Sequence, residues 1–272
     1  MIGKKVRPPA VAGAFYPNDR DALLNEVQKY LHTAGGEGHP DKVMGVVSPH
    51  AGWYYSGHVA GAVFGSIEVP DKVILIGPNH RGIGATVALD NSSGWLFPFG
   101  AVPVDAELFS SLMDYSDIIE SDAAAHAWEH SMEVIVPFLF ARNPKVSIAA
   151  ICMGTHDMDA IDDVAAAVAR AAKESGALIV ASTDMTHYMP DAVARRIDGE
   201  TIDLLKTMDE RALMQRVNHE GALCGGPAVA ILLSACKQNG AANVALTRYA
   251  TSGDIEGKRD SVVGYGGLTI PY

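Results

Sequence analysis

The chain has 272 residues with 21 basic and 32 acidic side chains, so its formal net charge is −11 at neutral pH. This balance argues against nucleic acid and anionic membranes as partners, because both attract basic surfaces. No apolar run approaches the roughly 18 residues that a membrane span needs, and no apolar segment follows the basic N-terminal residues, so neither a span nor a leader is expected. Three cysteines without a CxxC spacing further favour a cytoplasmic protein without disulfides.

Apolar runs that alternate with helical patterns predict an α/β protein. Residues 7–17 (RPPAVAGAFYP) hold three prolines, so we expect them to lie extended against the body of the protein. Two β-branched runs predict buried strands, and each is followed by a proline turn and a histidine. In the first half of the chain we predict helices at 19–33, 56–64 and 105–115, strands at 43–47, 73–76 and 86–89, and a loop or hairpin at 92–103.

The second half of the chain repeats this alternation. The helical spacing of Met132, Ile135 and Leu139 predicts a helix that begins near Trp128 and that Pro137 kinks or shortens. Further helices are predicted at 158–175, 191–208, 210–217 and 228–238, and strands at 146–151, 178–182, 244–250 and 264–270. Together these elements indicate one α/β domain over 1–272, with a mostly parallel central sheet flanked by helices.

Side chains that can bind metal follow several of the predicted strands. His50 and His80 come directly after two of them, where open α/β sheets place their ligands. Imidazole binds Fe, Zn and Cu, so we predict that both are metal ligands; the alternative is that each hydrogen-bonds its own turn. Cys224 precedes a helix whose positive dipole end favours a thiolate, which predicts a ligand or a reactive thiol rather than a small buried apolar side chain.

Other candidates are expected close to these three residues. His187 is predicted to move a proton, with Asp184 orienting it, although Asp184 is equally suited to capping a turn. Glu129 and His130 are candidates for catalysis or substrate contact, and the alternative is that they are simply first-turn residues of a helix.

A crevice for a ligand is also predicted at these strand ends. Trp53, Tyr54 and Tyr188 are expected to wall it and to stack on an aromatic ligand, unless they serve packing alone. Arg81, next to His80, is suited to hold a carboxylate or a phosphate. The sequence therefore predicts a small-molecule or peptide ligand beside the histidines.

Six motifs, spread in order over nearly the whole chain, carry a resemblance to a known family. They are RPPAVAGAFYP at 7–17, SPHAGWYYSG at 48–57, IGPNHRG at 76–82, EHSMEV at 129–134, STDMTHY at 182–188 and CGGPAV at 224–229. The chain resembles the Memo family (mediator of cell motility), including its prokaryotic AmmeMemoRadiSam-associated members. The resemblance implies a fold similar to the class III extradiol dioxygenases, which are non-haem iron enzymes that open catechol rings.

The family resemblance also implies a metal pocket. It places the metal ligands at His50, His80 and Cys224 and makes His187 the counterpart of the acid/base histidine of the dioxygenases. Those dioxygenases complete their iron site with a carboxylate, whereas this chain offers Cys224 at the matching position. A thiolate is softer and more easily oxidised than a carboxylate, so Zn²⁺ and Cu⁺ are alternatives to the expected Fe²⁺.

Taken together, the residues and the resemblance predict a metal-dependent, dioxygenase-like oxidoreductase that acts on a small aromatic substrate. One alternative is a non-catalytic module that reuses the pocket to bind a metal, a small ligand or a phosphopeptide. Another is a zinc-assisted hydrolase, since two histidines, a cysteine and a water can form a catalytic zinc site. The segment at 94–99 (GWLFPF) would favour a homo-oligomer if it is exposed.

Overall fold

The computed structural model describes residues 5–32 and 41–272, so position 33 of the first predicted helix lies outside the described residues. The strands are β1 (Val6–Arg7), β2 (Val43–Ser48), β3 (Lys72–Pro78), β4 (Val87–Leu89), β5 (Gly94–Phe97), β6 (Gly100–Pro103), β7 (Glu120–Ser121), β8 (Ser147–Met153), β9 (Leu178–Ser182), β10 (His187–Met189), β11 (Ala245–Thr251) and β12 (Val262–Pro271). The helices are α1 (Arg20–His32), α2 (Trp53–Ser66), α3 (Ala106–Tyr115), α4 (Val136–Arg142), α5 (Met158–Ser175), α6 (Asp191–Lys206), α7 (Glu210–Glu220), α8 (Gly226–Gln238) and α9 (Gly253–Glu256).

The large sheet is mixed, with a parallel centre. Its strands lie in the order β10-β12-β2-β9-β3-β8-β4-β7, and β11 also pairs with β12. The neighbouring pairs β2–β9, β9–β3 and β3–β8 are parallel. By contrast, β12 runs antiparallel to β2, and β4 runs antiparallel to β8. The predicted α/β class is confirmed, and the predicted parallel pairing holds for the four central strands.

Helices cover both faces of the sheet because alternate residues of each central strand point to opposite sides. Along β3, Ile74 and Ile76 belong to a buried cluster with residues of α3, α5 and α8. Val73 and Leu75 belong to a second cluster, which includes residues of α1, α2 and α4. Strands buried on both faces read as continuous apolar runs, which is why the sequence predicted these strands well.

The parallel centre places the carboxyl ends of β2, β3, β8 and β9 at one edge of the sheet. The loops that leave this edge carry His50 after β2, His80 after β3, and residues 183–187 after β9. Ligand sites of open α/β sheets lie outside the carboxyl ends of strands. The fold therefore brings the predicted site residues to one side of the molecule.

The helix predicted to begin near Trp128 does not form there. Residues 124–128 and 131–135 are turns, and regular helix begins only at α4. Glu129 accepts hydrogen bonds from the backbone N–H groups of His130 and Ser131, which takes those donors out of a helical ladder. Pro137 lies in the first turn of α4, where a residue without an N–H is best tolerated. The proline thus starts the helix instead of kinking it.

A small separate sheet lies beside the large one. Strands β5 and β6 form the hairpin that the sequence allowed at 92–103, and β1 pairs with β5. Trp95 and Phe97 are buried, so the aromatic segment at 94–99 packs largely inside the protein. Within the described part of the chain, no helix is both long enough and apolar enough to span a bilayer.

An ion-pair network around Asp191 joins α6 to β11 and to the turn before β12. Asp191 accepts hydrogen bonds from Arg195 at 2.9 Å, Arg259 at 2.5 Å and the Thr251 hydroxyl at 2.6 Å. The Arg195 hydrogen bond, followed by those from Thr251 and Arg259, outweighs desolvation and lowers the pKa of Asp191 to about 2. This carboxylate therefore stabilises the folded state above its unfolded pKa, and that contribution is lost as the pH falls towards 2.

We expect Asp191→Asn to lower the free energy of unfolding at neutral pH by about 1.5–3 kcal/mol, the usual contribution of hydrogen bonds to a charged group. Urea unfolding of wild type and variant should show the difference shrinking as the pH falls from about 4 to about 2. Asp203→Asn is the matched control, because its carboxylate pairs with Lys206 on the surface and is 76% exposed. An equal loss in both variants would contradict the proposed role of the network.

Candidate metal centre

His50 is buried and is held from three sides. Its backbone N–H donates to the Asp184 carboxylate at 2.8 Å. Its Nδ1 lies 2.7 Å from the hydroxyl of Ser182, the last residue of β9. Its Nε2 lies 3.3 Å from the sulfur of Cys224. Burial, helped by the positive charges that His80 and His130 can carry, lowers the pKa of His50 well below its usual value, so this imidazole is neutral and able to bind a metal.

His80 lies on the loop after β3 and is more exposed than His50. The side-chain oxygen of Asn79 accepts hydrogen bonds from the N–H groups of Arg81 and Gly82, a turn that asparagine typically forms. Glu129 then binds His80 twice, accepting from its backbone N–H at 2.8 Å and lying 2.9 Å from its Nδ1. The His80 side chain is 31% exposed, so it remains accessible from solvent.

Cys224 approaches the histidines because Gly225 allows a close backbone contact. A Cβ at Gly225 would lie 2.1 Å from the carbonyl oxygen of Ser182, so any larger residue would push the loop away. The Cys224 sulfur accepts a hydrogen bond from the Asp184 N–H at 3.2 Å. Burial, followed by the negative charge on Asp184, raises the pKa of the Cys224 thiol to about 12. Burial thus outweighs the helix dipole that the sequence suggested would favour a thiolate.

The three predicted ligands come together. Among the residues that the structure describes, His50, His80 and Cys224 each offer a ligand atom, and these atoms lie within 4.8 Å of one another. Two imidazole nitrogens and a sulfur form a donor set suited to iron, zinc or copper and poorly suited to Mg²⁺ or Ca²⁺. The residues present therefore fit the metal that the family resemblance implies.

His80, Glu129 and His130 form a second group with ligand atoms at similar spacing. The rings of His80 and His130 stack with centroids 4.7 Å apart. Burial alone would raise the pKa of Glu129, but hydrogen bonds from His80 and from the Ser131 N–H hold it well below its usual range. Glu129 is therefore a carboxylate whose oxygens already accept several N–H groups. Glu129 therefore fixes the positions of His80, His130 and Ser131 through these hydrogen bonds.

Asp184 and His187 lie close to the proposed ligands: Asp184 binds the His50 loop, and His187 is near enough to His50 and His80 to affect their charges. The Asp184 carboxylate binds the backbone N–H groups of His50 and Ala51, so it orients the His50 loop instead of His187. Burial raises the pKa of Asp184 to about 7 and lowers the pKa of His187. His187 is followed by a bulge in β10 at which Tyr188 adopts a positive φ of 58°, a strained conformation of the kind that clusters at functional sites.

The three aromatic side chains that were predicted to line the ligand crevice differ in their exposure to solvent. Tyr54 and Tyr188 are 63% and 78% exposed, whereas Trp53 is only 2% exposed. The Trp53 ring packs against Tyr16 and Phe138 and so belongs to the core. Arg81 is exposed and donates from Nε to the carbonyl of Trp128, itself an exposed aromatic residue.

A buried ion pair that the sequence did not predict lies next to Glu129. Arg7 donates to the Glu133 carboxylate at 2.6 Å and to the carbonyls of His126 and Glu129. Glu133 also accepts from two backbone N–H groups of the N-terminal segment and from the hydroxyl of Tyr16. The only sequence signal was that both partners lie in motifs used for the resemblance, RPPAVAGAFYP and EHSMEV.

Comparisons with known proteins give consistent results. The profile of a family described as "Memo-like protein" matches residues 7–269. A MEMO1 family protein of Methanococcoides burtonii is 40% identical over 269 residues, which are 97% of this chain and 100% of that protein. A MEMO1 family protein of Methanosarcina mazei is 38% identical over 272 residues, 98% of this chain and 99% of that protein.

One solved structure adds a comparison of folds. The crystal structure of the uncharacterized protein JW3007 from Escherichia coli K12 aligns with a TM-score of 0.55 at 11% sequence identity. The alignment covers 84% of this chain and 100% of that chain. At this level of identity the comparison supports the fold alone.

Proposed function

Since the chain belongs to the Memo family, we propose that it is a metal-dependent oxidoreductase in which His50, His80 and Cys224 hold a metal ion, Fe²⁺ being the expected one. The observation that carries this proposal is the convergence of two imidazoles and one thiol within 4.8 Å at the carboxyl edge of the sheet. When bound, an iron(II) ion would supply redox chemistry and polarise a small molecule beside it.

The other pocket residues have separate roles in this proposal. His187, whose pKa burial lowers, takes up or releases a proton of the substrate. His130, stacked on His80 and in edge contact with His50, offers a polar contact to the same substrate. Asp184 holds the His50 loop through two backbone N–H groups.

The exposed side chains near the pocket support a ligand of modest size. Exposed aromatic surface is offered by Tyr54 in the first turn of α2, by Tyr188 in β10 and by Trp128 in the turn before Glu129. Arg81 offers a guanidinium next to His80 in the chain. An aromatic small molecule or a short peptide that carries a carboxylate or phosphate matches this combination.

The first prediction of this proposal concerns metal content. We expect wild-type protein purified without oxygen to hold close to one iron per chain, and His80→Ala and Cys224→Ser to lose most of it, because each removes one of three protein ligands. Inductively coupled plasma mass spectrometry measures this directly. Cys236→Ala is the matched control, since Cys236 is a buried free cysteine in α8 outside the ligand group.

The outcomes separate the proposal from its alternatives. Wild type that contains no metal and refuses added iron, copper and zinc would contradict the metal site. A metal-loaded protein that neither consumes O₂ with catechols nor binds a small aromatic ligand would contradict the redox activity and favour a binding module. Hydrolytic activity restored by Zn²⁺ alone, without oxygen, would instead favour a zinc hydrolase.

A further inference from the structure

The hydrogen bonds of His50 determine which of its ring nitrogens carries the proton. Ser182 has a single hydroxyl hydrogen, and it donates that hydrogen to the carbonyl of Ser131 at 2.6 Å. A carbonyl can only accept, so the Ser182 oxygen must in turn accept from the Nδ1 of His50, 2.7 Å away. The neutral His50 ring is therefore protonated at Nδ1, and its Nε2 is free to bind a metal next to Cys224.

The same reasoning applies to His80 through a different partner. Glu129 Oε1 accepts from the backbone N–H groups of His130 and Ser131, which can only donate, so this oxygen is an acceptor, and it lies 2.9 Å from the Nδ1 of His80. His80 must therefore also carry its proton on Nδ1. The nitrogen left for a metal is Nε2, as in His50.

Ser182 and Glu129, the two residues that anchor the histidine rings, belong to one connected set of hydrogen bonds. The Ser131 carbonyl accepts from Ser182, while the N–H of Ser131 donates to Glu129 at 2.8 Å. A continuous path thus runs from His50 through Ser182, the backbone of Ser131 and Glu129 to His80. Arg7 is connected to the same set of hydrogen bonds, because its side chain donates to the Glu129 carbonyl.

We propose that Glu129 and Ser182 are positioning residues that hold His80 and His50 in the Nδ1–H tautomer, with both Nε2 atoms presented to the pocket before a metal binds. This inference rests on the metal site proposed above. It also explains the group formed by His80, Glu129 and His130: it anchors the ligands and is not a second cation site, because Glu129 Oε1 accepts from the His80 ring and from the N–H groups of His130 and Ser131.

The two anchors differ in charge. Glu129 is an anion, whereas Ser182 is a neutral hydroxyl, so the imidazole of His80 is the more electron-rich ligand. Glu129→Ala removes the acceptor for the His80 ring and leaves the anchor of His50 in place. Ser182→Ala removes the acceptor for His50 and leaves the anchor of His80 in place.

The test is ¹⁵N NMR of metal-free protein labelled at histidine, at about pH 8, where an ordinary imidazole is neutral. We expect wild-type His50 and His80 to show protonated Nδ1 and unprotonated Nε2. Glu129→Ala should change the tautomer of His80 alone, and Ser182→Ala that of His50 alone. Zinc affinity, measured by competition with a chelator, should fall by about 10–100-fold in each variant.

The same exchange at an exposed glutamate, Glu107→Ala, is the matched control and should leave both tautomers and zinc affinity unchanged. Protonated Nε2 in wild type, or an unchanged His80 tautomer in Glu129→Ala, would overturn the inference even if wild type binds zinc. The expected tautomers in a wild-type protein that binds no metal would instead contradict the proposed function and leave the positioning role standing. Because the wild-type spectrum is itself decisive, a variant that fails to fold does not remove the test.

Discussion

Glu133→Ala should lower the free energy of unfolding by about 3–5 kcal/mol, the loss typical of a buried ion pair that keeps only one partner. Both side chains of the Arg7–Glu133 pair are almost fully buried, at 3% and 0% exposure. Removing the carboxylate leaves the Arg7 guanidinium without its counter-charge in the interior. It also leaves the Tyr16 hydroxyl and two backbone N–H groups without their acceptor.

Equilibrium unfolding in urea, followed by tryptophan fluorescence, measures this loss. Glu107→Ala is the matched control, because Glu107 forms an ion pair with Lys72 but is 83% exposed. Exposed pairs typically contribute about 0–1 kcal/mol, so the control should unfold almost as wild type does. Similar stabilities of Glu133→Ala and Glu107→Ala would show that the buried pair does not hold the N-terminal segment in place.

Gly225→Ala is expected to destabilise the protein strongly. Its Cβ would lie 2.1 Å from the carbonyl oxygen of Ser182 and 2.9 Å from the Cβ of Thr183, and backbone atoms cannot give way as a flexible side chain does. We expect a loss of about 3 kcal/mol in the free energy of unfolding. Because the displaced segment carries Cys224, metal affinity should fall together with stability.

Gly199→Ala provides the comparison, since it adds the same methyl group in the middle of α6, where no atom lies within 4 Å of the new Cβ. Alanine favours helix over glycine, so this variant should gain about 0.5–1 kcal/mol. Thermal unfolding measures the stability of both variants, and zinc titration measures their metal affinity. A stable Gly225→Ala protein with wild-type zinc affinity would contradict the close approach of α8 to β9.

The sequence predicted what depends on local pattern. The continuous apolar runs that became β2, β3, β8 and β9 are typical of strands buried on both faces, and their order placed His50 and His80 at one edge. Gly225 and Pro227 marked the start of the helix that follows Cys224. Each of these signals lies within a few residues of the feature that it predicts.

What the sequence left unpredicted depends on contacts between distant segments. The turns around Glu129 replaced a predicted helix because the Glu129 carboxylate binds backbone N–H groups and the His80 ring, 49 residues away. Arg7 and Glu133 are separated by 126 residues, and no periodicity links them. Asp184 was assigned to His187, its neighbour in sequence, but binds the loop of His50, 134 residues away.

The strand order also has a consequence for biosynthesis. β12 lies next to β2 in the sheet, so one edge of β2 stays uncovered on the ribosome until residues 262–271 have emerged. All of the proposed ligands precede β12 in the chain. The sheet that positions them is complete only when this late strand has paired with β2. An emerging chain therefore carries an apolar strand with a free edge for most of its synthesis, the state in which nascent proteins most need protection from aggregation.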